Sequence, residues 1–438
     1  MKLLKFLFFV LLTFMLVNFT RAQLINGKFS TSFYSWERFT SDKTSDIVTR
    51  FYQNLQLDAS HGEFSFYTNI AGAISSSPST SDDGAVRVYN VYLRWKNFAD
   101  IADLNIGRIP IFAGIGNGVV DGVLFKAKMW NNKMILTGYG GANVQSNLHW
   151  KGFKDLDRNF LAGGQIIGYF LEGSRFGLSY CNRNRLMEGY SAIRPDSIFS
   201  PLTVLVQPAV RKEQLISADA SYSYGTQLSA YGRFDYELNT SHVLRGEINS
   251  RVNATDKLAF TGTYIYREPR IPYNSFFSIF ESESVNEYEG GVEYSLCSPL
   301  STFGRVAFVQ YGEELSRRLT IGVNSTYGSI RYAGSNGYSG QLASFSAEGM
   351  YPLFDRKLIP TISASFATYR LDEKSGKKEE LFAGSLGVIV RLVSSFSLDT
   401  QVQWVRNKIA QDDLRVFGKV SYWFSHNFSQ SPTIGEGE

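Results

Sequence analysis

Three groups of residues could do chemistry here: a glycine-rich run, four histidines, and arginines and carboxylates spread at alternate positions. The run GRIPIFAGIGNGVVDG, 107–122, holds five glycines in sixteen residues. Glycines let backbone N–H groups approach a phosphate, so the run invites a nucleotide reading. A dinucleotide fingerprint, however, needs GxGxxG opening a helix. Asp121 stands where the third glycine would follow Gly116 and Gly118, and Val119 where it would follow Gly114 and Gly116. The residues beyond, VDGVLFKAKMW, alternate as a strand. The glycines therefore predict a tight turn between two strands. On that reading Leu104 and Ile106 climb an outer wall, Gly114 to Val119 turn at the outside surface, and Val123 and Phe125 descend.

His61, His149, His242 and His426 are the only histidines. His149 and His242, with Ser241 and Asp155 or Asp157 as neighbours, are the sole basis for a hydrolase; nothing fixes their geometry, and ordinary loop histidines are the plainer reading. Cys181 and Cys297 are the only cysteines. Without a CxxC or a Cys/His cluster, no metal site and no cofactor is expected. A net charge of +4 on 438 residues gives no footprint for nucleic acid.

The arginines and carboxylates are informative because of where they fall. In QLSAYGRFDYEL, 227–238, Leu228, Ala230, Gly232, Phe234, Tyr236 and Leu238 alternate with Gln227, Ser229, Tyr231, Arg233, Asp235 and Glu237. Successive strand side chains point to opposite faces, so one face is apolar and the other polar. HVLRGEINSRV, 242–252, sets Leu244, Gly246, Ile248 and Val252 against Arg245, Glu247, Asn249 and Arg251. EYEGGVEYSL, 287–296, sets Tyr288, Val292, Tyr294 and Leu296 against Glu287, Glu289 and Glu293. Arg50, Arg94, Arg183, Arg185, Arg391 and Asp399 carry the same polar parity. On a closed sheet these charges would line a water-filled pore and set a transverse field across it. Cross-strand ion pairs, each worth roughly 0–1 kcal/mol, are the other use of the same residues. Mixed signs predict weak ion selectivity.

About twenty such segments follow one another, most about 10–14 residues long, where soluble strands run to roughly 5–6 residues and a tilted bilayer-crossing strand needs roughly 9–11. The pattern predicts an all-β fold: a transmembrane antiparallel up-and-down β-barrel. Short connectors, among them 61–62, 131–133, 225–226, 253–256, 298–300 and 393–395, alternate with longer polar ones at 75–84, 144–158, 186–212, 268–284 and 372–380. Outer-membrane barrels have short periplasmic turns and longer outside loops. With the N-terminus periplasmic, alternation holds once SRRLTIGVNSTYGSIRYAGSNG is split around Gly328, which brings the count to about 22 strands, with 20–22 as the range. Cys181 and Cys297 then face the lumen several strands apart, beyond the roughly 7 Å Cα limit for a disulfide, and are expected as free thiols.

Residues 1–22 predict a secretory signal peptide: Lys2 and Lys5 precede the apolar Phe6–Val17, and Thr20-Arg21-Ala22 offers a cleavage site. One barrel is expected over 23–424, its last strand 414–424, followed by a C-terminal tail over 425–438. Tyr34, Trp36, Trp95, Trp130, Trp404 and Trp423 lie near strand ends, where interfacial girdles form.

The hairpin VYNVYLRWKNFADIADLNIGRIPIFAGIGNGVVDGVLFK, 88–126, joins a strand ending in an ADIADL turn to a GR pair, a glycine-containing loop and a DG. In this the chain resembles the Gram-negative outer-membrane porin-like β-barrel proteins, over nearly all its mature length. The resemblance implies a non-enzymatic channel in the outer membrane of a Gram-negative bacterium, for passive diffusion of small polar solutes. It further implies contact with outer-membrane lipid and with the barrel-assembly machinery. Such barrels usually end on an aromatic residue that this machinery reads; here SHNFSQSPTIGEGE follows Phe424.

Two long connectors, 187–213 and 268–284, carry more apolar side chains than a solvated loop has reason to. Arg270, Tyr273, Phe276, Phe277 and Phe280 suit a constriction folded into the lumen, a surface for a protein partner or plug, or packing against the barrel rim or neighbouring lipid. The second use motivates the alternative function: a structural barrel that sheathes or docks an electron-transfer or export subunit.

Overall fold

The computed structural model describes residues 23–41, 44–76, 86–145, 148, 155–187, 189–195, 200–207, 210–268, 283–338, 340–370, 378–408 and 412–428. The strands are β1 (Leu24–Ser41), β2 (Thr44–His61), β3 (Phe64–Ser75), β4 (Val86–Phe98), β5 (Ala102–Ala113), β6 (Gly116–Met129), β7 (Met134–Asn143) and β8 (Phe160–Gly168). They continue as β9 (Ser174–Arg185), β10 (Tyr190–Pro195), β11 (Pro201–Val206), β12 (Arg211–Tyr224), β13 (Leu228–Glu237), β14 (His242–Asn253), β15 (Leu258–Arg267) and β16 (Val285–Cys297). The rest are β17 (Leu300–Tyr311), β18 (Glu314–Ser325), β19 (Gly328–Gly337), β20 (Gly340–Met350), β21 (Leu358–Arg370), β22 (Glu379–Val393), β23 (Phe396–Arg406) and β24 (Asp413–Asn427).

Twenty-two of these form one antiparallel sheet, and β1 pairs with both β2 and β24, which closes it into a barrel. The split at Gly328 is observed: β18 and β19 are separate strands joined at 326–327. Closure gives each of the 22 strands of the barrel sheet a ladder partner on both sides over at least part of its length. The segment 187–213 holds a small hairpin of its own, β10 with β11, outside the barrel sheet, while β9 pairs directly with β12.

Period-two sequence becomes a two-faced wall. Ile362 and Leu386 are cross-strand partners on β21 and β22 and stand 58% and 64% exposed. Tyr288, Val292, Tyr294, Ile248, Leu178 and Tyr180 are exposed likewise. An apolar band running around the whole circumference far exceeds what a water-soluble surface tolerates, and fits a hydrocarbon layer. Leu24 at the start of β1 and Asn427 at the end of β24 meet at one end of the barrel, the end that also holds the turns at 62–63, 130–133 and 298–299.

Two placements differ from the sequence expectation. The closing strand β24 runs to Asn427, which pairs with Leu24, so residues 425–427 belong to the wall and not to a tail. The N-terminal strand provides the reason, since β1 starts at Leu24 and offers ladder partners past Phe424. Tyr34, Trp36 and Trp423 have the inward parity, opposite to exposed Phe29, Phe33 and Tyr422, and are not girdle residues. Tyr34 stacks on Trp36 at 5.2 Å, and Lys28 lies 4.9 Å over the Trp423 ring.

Candidate functional site

The inner wall of β13 to β18 is laced with charge. Arg233 Nε donates to Asp235 Oδ1 at 2.8 Å along β13, and Arg245 pairs with Glu247 along β14. The ladder places Arg233 opposite Glu247 and Asp235 opposite Arg245, so the four form a checkerboard. Glu293 accepts from Arg251 and, at 2.9 Å, from Arg305. Arg318 reaches across β17 to Glu287 and, at 2.9 Å, to Glu289, and Arg267 stands 3.6 Å from Glu287. These groups are part-hydrated: the Arg251 and Arg305 side chains are 43% and 40% exposed. Elsewhere, Arg94 pairs with Asp103 at 2.6 Å, Glu237 stands opposite His242, Asp399 opposite Lys419, and Arg391 is exposed near the short-turn end of β22.

A different arrangement occupies β5 to β9. The hairpin expected to turn at the outside surface folds inward instead. Pairing of β4 with β5 stops at Val91–Arg108, whereas β5 and β6 continue together to Ala113–Gly116. Leu104 and Ile106 do face outward with Phe125 and Val123, as expected, and the departure comes beyond them. Where β6 leaves the wall it crowds β7: a Cβ on Gly122 would stand 2.1 Å from Gly140 O and 2.6 Å from Gly141 Cα. At the tip, Gly114 has φ +61°, the positive value that opens a two-residue turn of the II′ kind and that glycine adopts without steric cost.

One face of this hairpin carries Ile109, Ile111, Ala113, Ile115 and Val120, all buried. They form a single cluster with Tyr139 of β7, Leu161 of β8, Cys181 of β9, Leu215 of β12 and Leu244 of β14. Those wall residues point inward. On β9, exposed Phe176, Leu178 and Tyr180 alternate with buried Ser179, Cys181 and Arg183. Leu244 belongs to the outward set by sequence parity, but the register shift after Asp235 turns it in. Polar contacts align the tip: Ile115 N donates to Ser179 Oγ at 2.9 Å, and Arg183 Nη2 donates to Asn117 O and, at 3.2 Å, to Asn117 Oδ1. Arg183 also lies 3.5 Å from Glu213.

At the root of the hairpin, Arg108 donates Nε to Asp121 Oδ1 at 2.6 Å and Nη2 to Oδ2 at 2.7 Å. Its Nη1 donates to Leu148 O at 3.1 Å and Val88 O at 3.3 Å. The Arg108 side chain is 1% exposed. A bidentate, charge-assisted pair with its remaining donor also bonded is the form in which a buried arginine is tolerated. The opposite face of the hairpin carries Pro110, Phe112, Asn117 and Val119, and Phe112 is 86% exposed.

Of the charged residues singled out in the sequence, Arg183 meets the inward hairpin, beside Cys181; Arg233, Asp235, Arg245, Glu247, Arg251, Glu287, Glu289 and Glu293 gather on the charged arc of wall. Arg270, Tyr273, Phe276, Phe277 and Phe280 lie outside the described residues, as does His149. His242 Nδ1 stands 2.9 Å from Glu268 Oε1, at the exposed start of β14. Cys181 and Cys297 are both free. The hairpin's role was missed, though a signal existed: Ile109, Ile111, Leu161, Cys181 and Leu215 are apolar at positions whose parity is inward.

No family model and no curated protein matches the chain. Among solved structures it is similar to the P pilus usher (PapC) translocation pore, at 8% identity over 92% of this chain and 99% of that one, with TM-score 0.45. It is also similar to Acinetobacter baumannii OccAB4, at 8% identity over 93% and 99%, TM-score 0.39. The outer membrane protein opdK from Pseudomonas aeruginosa gives 10% identity over 92% and 99%, TM-score 0.38. At TM-scores below 0.5 these likenesses do not bear on function. In form, the chain is a closed porin-like barrel, and that rests on its own strand ladder.

Proposed function

We propose that this protein is an outer-membrane channel of a Gram-negative bacterium, through which small polar solutes diffuse passively. One observation carries the reading: a single closed ladder of 22 strands has an apolar exterior and a charged interior. The exterior supplies the favourable transfer into hydrocarbon. The interior offers a passing solute alternating donors and acceptors in place of the water it sheds. The charges are mixed and largely paired, so the passage favours neither sign strongly. The expected absence of enzymatic activity belongs to the same reading, as does delivery by the barrel-assembly machinery.

Purified, refolded protein in a planar bilayer tests the proposal. Discrete open conductance with a reversal potential near zero in a salt gradient is the expected result. A silent bilayer, with heat-modifiable gel migration showing a folded barrel, would defeat the channel reading. Membrane fractionation of the native host tests the location separately.

A further inference from the structure

Taking the outer-membrane placement of the barrel as its basis, we propose that a recess on the outer wall, between Arg317 and Arg370, binds the phosphorylated headgroup of an outer-leaflet lipid. Arg318 reaches inward to Glu287 and Glu289, so its neighbour Arg317 faces the bilayer side, opposite exposed Phe308. Cross-strand partners continue this outward row through Asn336 and Gln341 to Arg370. The row lies near the ends of β18 to β21 that are remote from Leu24 and Asn427, the ends that loop length places outside the cell. A lipid-facing guanidinium is costly at mid-bilayer and tolerated at headgroup level, so these two belong at the outer interface.

Three tiers give the recess its chemistry. Its floor is the next outward row, where Gly334, Ala343 and Thr368 are successive partners and their small side chains leave a hollow of about 570 Å³. Toward mid-bilayer, Tyr332, Phe345 and Phe366 form an exposed aromatic row suited to acyl chains. Toward the outer end, Arg317 and Arg370 stand on two sides of the hollow and Lys378 adds a third cation. Arg370 Nη2 donates to Gln341 Oε1 at 2.7 Å, which orients its guanidinium. Among the described residues no carboxylate lines the hollow, and Arg317 makes no ion pair. The lumen side of the same wall is the opposite case, since Arg305 and Arg318 are matched there by Glu293, Glu287 and Glu289. Cations left unneutralised directly above an apolar row complement a lipid that carries phosphate at the same depth.

The purified barrel in detergent is incubated with bisphosphorylated lipid A, with the same lipid stripped of its phosphates, or with inorganic phosphate, and retained ligand is read by native mass spectrometry. One molecule of the phosphorylated lipid should be retained, and neither of the other probes at the same concentration. Arg317→Gln combined with Arg370→Gln should lower retention by roughly tenfold. Gly334→Leu should lower it as well, because the new side chain fills the floor with every charge still in place; its Cβ meets only the movable end of Tyr332, at 3.1 Å. Lys212→Gln removes an exposed outward cation on β12, away from the hollow, and should change nothing. Heat-modifiable gel migration verifies that each variant is a folded barrel. Equal retention of the stripped lipid or of inorganic phosphate overturns the inference, as does a loss from Lys212→Gln equal to that from the arginine pair, or retention indifferent to residues 317, 334 and 370. Those failures, with the barrel fractionating in the outer membrane, defeat the lipid site alone. A barrel that fractionates elsewhere in the native host defeats the placement, and this inference with it.

Discussion

Two stretches of the same inner wall use charge in opposite ways. At the root of the hairpin, Arg108 and Asp121 form a pair whose arginine is 1% exposed and whose remaining donor reaches Val88 O and Leu148 O. Across β14 to β17, Arg251, Glu293 and Arg305 form a triad in contact with water. Both are arginine–carboxylate contacts on strands of one barrel. The first holds a piece of chain in place. The second solvates a surface. What separates them is hydration, which contacts with Val88 and Leu148 remove from the root of the hairpin.

The sharpest way to break this contrast is to remove one partner from the dry pair. Arg108→Ala leaves the Asp121 carboxylate buried and uncompensated, at a cost of about 3–5 kcal/mol. Cys181, buried beside the hairpin, should then label readily with a small water-soluble maleimide, and the hairpin should become a protease target in the folded barrel. Replacing both partners with apolar residues of similar size, Arg108→Met with Asp121→Leu, should restore most of the protection, since a buried pair gains little over well-packed hydrocarbon. Failure of the double variant to recover would mean that Arg108's bonds to Val88 O and Leu148 O, not the pair, hold the root.

Next in size is the seat. Leu161→Ala empties a fully buried site beneath the hairpin and should cost about 2–5 kcal/mol, read as faster Cys181 labelling and a lower thermal midpoint for hairpin release. An equal truncation on the outer wall, Leu386→Ala, should leave Cys181 protected, because Leu386 faces outward from β22. Smaller again is Gly122→Ala. The added methyl meets backbone on β7 and not a movable side chain, so the ladder must shift, at about 1–3 kcal/mol.

The wet arc of wall was legible in the sequence almost residue by residue, and the dry one was not. Alternation in 227–238 and 287–296 puts Arg233, Asp235, Glu287, Glu289 and Glu293 on the face where the ladder pairs them with other charges, because each strand there is polar on one face and apolar on the other. Parity fails at Leu244, where one extra residue shifts the register; at Trp423 it is residue type that misleads, since the aromatic ring suggested an interface while its ladder position turns it inward. It also fails for the hairpin. Period two says which residues share a face but not where a strand pair stops following the wall, and that depends on β4 ending its ladder with β5 at Arg108. The pairing of Arg108 with Asp121 across the hairpin was readable; their burial depends on contacts with Val88 and Leu148, which no local pattern encodes.

The mildest change tests the wet stretch of wall on its own terms. Glu293→Gln removes the carboxylate that Arg251 and Arg305 share, without altering side-chain size. The pairs are hydrated, so folding stability should move by only about 0–1 kcal/mol, and Cys181 should stay covered. Ion preference should respond instead. With one negative charge gone, two guanidiniums stand uncompensated at the lumen surface and attract anions, and the reversal potential in a salt gradient shifts toward the anion value. High salt should shrink the shift, since a screening length of about 10 Å at 0.1 M falls to about 3 Å at 1 M. A loss of stability as large as that from Arg108→Ala, with no change in selectivity, would show that the charged arc is structural like the dry one, and the contrast between them would fail.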